Sequence, residues 1–143
     1  MDNIKLFNAT VALVFERCFN AFPNRINLDS VPLAVEIAEL YPDEILTETK
    51  NDLDHEAMVV FDSIRWLIDA GYLWSRATTT NLSLLDVVLS PKGFEVLNSV
   101  PDALNSKESI GKLLSKGIKK LSSETINQII SAAITIGLSK SIG

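Results

Sequence analysis

The densest run of titratable side chains is Asp52-Leu53-Asp54-His55-Glu56, which also holds the only histidine of the chain. Alternating acids of this kind open calcium-binding loops, where they reach one cation. Such a loop also needs glycine at its sixth position and a bidentate glutamate at its twelfth. Those positions hold Ala57 and Ser63, so the run is read as a helix start, whose positive dipole end favours acidic side chains. His55 has no partner at metal-ligand spacing. No elbow motif surrounds any serine for it to serve as a base. Cys18 falls on an apolar helical stripe, the setting of an inert buried thiol. Glu36 and Glu39 could do acid–base work in principle, but a solvated helix face accounts for them more simply. There is no glycine-rich phosphate loop. The chain is therefore read as non-enzymatic, with no cofactor and no metal.

Residue types that serve binding are better represented. Trp66, Tyr72 and Trp74 cluster where a helix meets a β-prone run, a place where aromatics usually fill a core. Where exposed, Tyr72 and Trp74, with Arg76 beside them, would anchor a partner, because such side chains dominate binding hot spots. Lys112, Lys116, Lys119 and Lys120 line one face of a helix opposite Ile110, Leu113, Leu114 and Leu121. A basic amphipathic helix suits an anionic membrane or a partner's groove; its ordinary alternative is a helix packed on the body with lysines in solvent. The last helical segment carries Ile129, Ala132, Ala133 and Ile136 on more than one side, which suggests a homodimer contact.

These residues must be positioned by a chain of 143 residues, a length that suits one domain. Its 47% apolar content is too high for disorder. No secretory leader is read at Met1-Asp2-Asn3, and one cysteine fits a reducing, cytoplasmic setting. The longest uncharged stretch, Thr125–Ser139, has 15 residues, short of the about 20 that a spanning helix needs.

Ile4, Phe7, Val11, Val14, Phe15 and Cys18 recur at helical spacing, continue in Phe19 and Phe22, and stop at Pro23. A second helix follows, capped by Asp29 or Ser30 with Pro32 in its first turn and a stripe of Val31, Ala34, Val35, Ala38 and Tyr41. Residues 43–52 read as an acidic loop. The third helix, from about Asp52–Asp54, buries Ala57, Val60, Phe61, Ile64, Leu67 and Ile68 and ends at Gly71. Tyr72–Ala77 and Leu82–Leu89 form a hairpin around Thr78-Thr79-Thr80-Asn81. Ser90-Pro91 opens a helix with Phe94, Leu97 and Val100 that Pro101 ends. Asn105 and Glu108 have the spacing of a capping box before two further helices, the second restarted at Ser122-Ser123-Glu124.

Three helices, a hairpin and a fourth helix, with Gly71-Tyr72-Leu73 and Ser90-Pro91-Lys92-Gly93 at the junctions, resemble the winged helix-turn-helix superfamily. The recurring pattern there is helix, G-[YF]-[LI], strand, turn, strand, [TS]-x-[KR]-G, helix. The resemblance covers residues 1–100, so the expected fold is mainly α with a small β-hairpin. It comprises a winged-helix-like domain over 1–100 and an α-helical C-terminal extension over 101–143, packed on that domain or on a dimer partner. In DNA-binding members the third helix enters the major groove with basic or amide side chains. Here that helix holds Asp54, Glu56, Asp62 and Asp69 against one Arg65, and the wing turn is uncharged.

The charge of the whole agrees. Residues 1–100 carry 7 Lys/Arg against 15 Asp/Glu, a net of −8, and residues 101–143 carry 6 Lys against 3 Asp/Glu, a net of +3. That is not the footprint of a nucleic-acid binder. The expectation is a regulatory or adaptor protein working through protein–protein contacts. The alternatives are a DNA-binding regulator and a peripheral membrane binder using the basic tail.

Overall fold

The computed structural model describes residues 1–45 and 53–140. The expected acidic loop therefore lies outside the described residues from position 46 on, as does Asp52.

Helix α1 (Asn3–Ala21) is apolar on nearly every side, and a helix of that kind has to lie inside. Leu6, Ala9, Val11, Ala12, Leu13, Val14, Phe15 and Cys18 are all buried, and Thr10 satisfies its hydroxyl on Leu6 O at 2.8 Å. Asp2 caps it by accepting from Lys5 N. The expected stripe fails at its two ends, with Ile4 exposed in the first turn and Phe22 exposed just past the last. Every other α-helix among the described residues packs on this one, as do the strands Ile26–Asp29 and Ser83–Leu89.

A short strand follows that the sequence reading does not contain: β1 (Ile26–Asp29) runs into α2 (Ser30–Leu40). Asp29 stands at the cap position without capping, because its carboxylate accepts from Ser83 Oγ. The buried side of α2 is Leu33, Ala34 and Ile37, while the expected Val31 is exposed. Helix α3 (Asp54–Asp69) buries Ala57, Val60, Phe61, Ile64 and Leu67 as its periodicity predicts.

The first strand of the expected hairpin is interrupted. It consists of β2 (Leu73–Trp74) and β3 (Ala77–Thr78), both antiparallel to β4 (Ser83–Leu89), and β1 pairs antiparallel with the same β4. In the gap, Ser75 Oγ and Arg76 N both donate to Leu85 O, at 2.8 and 3.1 Å. On the β1 side the register shifts between Ile26↔Val87 and Leu28↔Leu84, so β4 holds one extra residue there. Asp86 takes that bulge with φ of 54°, a local kink of the kind that bends a strand. Its freed backbone groups are met by side chains: Asn27 accepts from Asp86 N at 3.0 Å, and Arg25 donates to Asp86 O at 2.9 Å.

Residues 90–93 then join α3 to α4 (Pro91–Leu97). Ser90 accepts from Gly93 N as the N-cap and donates to Gly71 O. Lys92 Nζ donates to Ala70 O at 2.8 Å, at the C-terminal end of α3, where cations are favoured. A Cβ on Gly93 would sit 2.1 Å from Tyr72 O. Ser90, Lys92 and Gly93 are thus consumed in splicing two helices together. The motif reports on shape.

Asn105 does not open the next helix. It closes a 3₁₀ turn (Asp102–Leu104) in the left-handed region with φ of 51°, and Ser109 caps α5 (Ile110–Ser115) by accepting from Lys112 N. Gly117, at φ of 124°, stops that helix, and a separate 3₁₀ turn (Ile118–Lys120) follows before α6 (Ser123–Lys140). Both C-terminal helices pack on α1 of the same chain, where Ile110, Leu114, Ile126, Ile129, Ile130 and Ala133 join its core. The molecule is mainly helical, with one small four-stranded antiparallel sheet.

Candidate protein-interaction surface

Side-chain alternation along β2 sends Leu73 into the core and Trp74 to the opposite, outer face. Leu73 is fully buried opposite Leu89, and Trp74, opposite Val88, is 53% exposed. Trp74 is thus left open to solvent, and apolar side chains converge beside it. Phe22, at the end of α1, and Phe94, in the first turn of α4, are 37% and 39% exposed. Their rings stack at 4.4 Å between centroids, 22° from parallel. Together with Pro23, Val88 and Pro91 they line a hollow of about 430 Å³. Among the described residues its single charged lining residue is Arg25, whose guanidinium is held by the Asp86 carbonyl. Aromatic groups kept exposed on a rigid frame lose little conformational entropy on binding, which suits them as anchors.

The expected contacts divide. Trp74 is on this surface. Tyr72 is not: it is 1% exposed, because the close α3–α4 junction turns its ring inward. There it lies 6.0 Å from Phe15 and 6.3 Å from Trp66, under the Lys92 ammonium at 4.4 Å. Its hydroxyl donates to Ile134 O at 3.2 Å. Burial pushes the Tyr72 phenol up from its ordinary pKa and the Cys18 thiol up to about 12, and Cys18 is buried as its place on the apolar stripe predicts. Arg76 is exposed in the gap between β2 and β3, 3.7 Å from the Asp86 carboxylate, a surface pair of little energetic weight. Phe22 and Phe94, which the sequence reading assigns to core stripes, are the surface residues it misses. No local signal marks them, because their meeting depends on how α1 and α4 cross the end of the sheet.

The solvent face of α3 presents Asp54, His55, Met58, Asp62, Arg65, Trp66 and Asp69. Three carboxylates against one guanidinium repel phosphate. His55 Nε2 lies 3.4 Å from Asn3 Oδ1. The turn Thr78–Asn81 is closed by its own hydrogen bonds, with Thr79 Oγ1 accepting from Asn81 N and Ser83 N, and carries no charge.

The lysines do not share one helical face, because Gly117 breaks the helix between them. Lys112 lies in α5; Lys116, at its end, pairs with Glu108 at 2.6 Å; Lys119 and Lys120 belong to the following 3₁₀ turn. Lys119 shares a surface depression with Glu36 and Glu39 of α2. The proposed dimer residues also divide. Ile129 and Ala133 are buried against their own chain, since α6 docks on α1, whereas Ala132 and Ile136 remain at the surface, lining a groove. No helix among the described residues is long and apolar enough to cross a membrane.

No protein-family model, no curated protein and no solved structure matches this chain.

Proposed function

We propose that the chain is a non-enzymatic, winged-helix-like adaptor or regulator that holds a protein partner through the Trp74–Phe22–Phe94 patch. The carrying observation is that these three exposed aromatic side chains border one hollow beside β2 and β4. Exposed aromatic side chains gathered on a rigid frame are the residue types that dominate binding hot spots. The winged-helix reading rests on element order, helix–strand–helix–helix followed by an interrupted arm and β4, and on the Gly-Tyr-Leu and Ser-Pro-Lys-Gly junctions. DNA reading by α3 is disfavoured by the carboxylates on its outer face, which would have to approach phosphate.

The test compares proteins retained from the native cell by the wild-type chain, by Trp74→Ala and by Asp62→Ala. Trp74→Ala is expected to reduce retention of the specific partner ~10-fold or more, as removal of one hot-spot residue does. Asp62→Ala should leave it unchanged. Equal retention by all three would refute the patch. Specific, steeply salt-dependent binding to genomic fragments would refute the protein-contact reading in favour of DNA.

A further inference from the structure

A second surface stands apart from the aromatic patch. The outer side of α6 faces the first turn of α1 and the segment 99–104 across an open groove of about 1120 Å³. That exceeds the roughly 300–1,000 Å³ of small-ligand pockets and suits a peptide. Spacing by four along α6 sets Glu124, Gln128, Ala132 and Ile136 in one row, all lining the groove. The row spans about 18 Å at the rise of an α-helix. It is acidic at one end and apolar at the other. Across from it, Ile4 and Val100 remain 71% and 48% exposed, and Asp102 supplies a second carboxylate. Among the described residues no lysine or arginine lines the groove, and neither Asp102 nor Glu124 is ion-paired there.

We propose that this groove binds a basic amphipathic peptide segment of another protein. The charge pattern selects that occupant over an acidic or purely apolar one. Cations on the segment face Glu124 and Asp102, and its apolar side chains cover Ala132, Ile136, Ile4 and Val100. This is groove recognition of an amphipathic ligand, with apolar contact giving affinity and charge giving register and specificity.

The probe is a labelled peptide of leucines and lysines at helical spacing, about four turns long, alongside its isomer with glutamate for every lysine. Fluorescence anisotropy is read on the full chain. The lysine peptide is expected to bind and the glutamate isomer not to. Asp102→Lys/Glu124→Lys should weaken binding ~10-fold or more, and Ala132→Arg should abolish it by filling the apolar end. Asp62→Lys/Asp69→Lys makes the same charge change on α3 and should leave binding unaltered, as should Trp74→Ala. Equal weakening by the α3 reversal would reduce the effect to general charge attraction and overturn the proposal. So would binding that survives Ala132→Arg. A melting curve for each variant confirms folding, and Glu124→Gln gives a milder version of the charge test. Light scattering of the free chain covers the remaining occupant: a dimer that Ala132→Arg dissociates would mean that the groove holds a second copy, again overturning the proposal.

Discussion

Gly137 has no room for even a methyl group. A Cβ there would lie 2.0 Å from Tyr72 Oη and 2.5 Å from the ring carbons Cε1 and Cζ. The ring cannot swing aside, because its hydroxyl is held on Ile134 O and Lys92 lies over its face. Two effects of Gly137→Ala oppose each other. Alanine in place of glycine within a helix gains roughly 0.5–1 kcal/mol, whereas overpacking a filled core costs roughly 1–3 kcal/mol. With overlaps this short the steric cost wins, and the variant is expected to be destabilised by ~1–2 kcal/mol in urea unfolding. The sign should reverse in a Tyr72→Leu background, where the overlapping hydroxyl and ring are gone and only the helix preference remains. A destabilisation of equal size in both backgrounds would show that Gly137 matters for some reason other than Tyr72. The same geometry explains why Tyr72 cannot serve as a partner contact: its whole surface is already used inside the chain.

Among the elements, legibility follows the strength and length of the local pattern. The buried face of α3 is readable because its apolar residues recur over four turns with Gly71 behind them. Helix α1 is readable as a helix but not as the central one, since periodicity shows one stripe and burial on every side is a tertiary outcome. Strand β1 is too short to announce itself: Ile26 and Leu28 are its only alternating apolar pair, and its pairing with β4 links residues distant in the chain. The aromatic patch has the same origin. Trp74 could be singled out locally, whereas the approach of Phe22 to Phe94 depends on that unseen topology. The start of α5 was hidden by competing cap signals. Asn105 and Glu108 have capping-box spacing, yet the Asp102–Leu104 turn uses Asn105 in the left-handed region, and Ser109 takes the cap. Ser109→Ala should therefore cost ~1 kcal/mol, as N-cap loss does, with Ser109→Asp close to wild type. Chemical unfolding measures both. A neutral Ser109→Ala would show that α5 is held by its buried side chains alone.

At the scale of the whole molecule, the acidic body and the basic C-terminal part are one packed unit, which sets what truncation can do. Helices α5 and α6 and the turn between them contribute Ile110, Leu114, Ile118, Ile126, Ile129 and Ile130 to the core around α1. Full burial of one such side chain is worth about 1.5–3 kcal/mol, so six amount to on the order of 10 kcal/mol before the entropy of ordering the segment is subtracted. The net stability of a domain is itself only about 5–15 kcal/mol. Removing these helices also leaves the α6-facing and α5-facing sides of α1 against water, an exposure the remaining elements have no means to cover. A chain ending at Asn105 is accordingly expected to lack a cooperative thermal transition and to show collapsed amide proton dispersion, although it retains the whole region that resembles a winged helix. A sharp unfolding transition in that fragment would mean that α1 can close its core without the C-terminal helices, and that the extension is an accessory. The expected outcome carries a consequence for both proposed surfaces: the aromatic patch and the α6 groove are fixed relative to each other by one core, so partners bound at the two sites would be held at a set separation instead of tethered loosely.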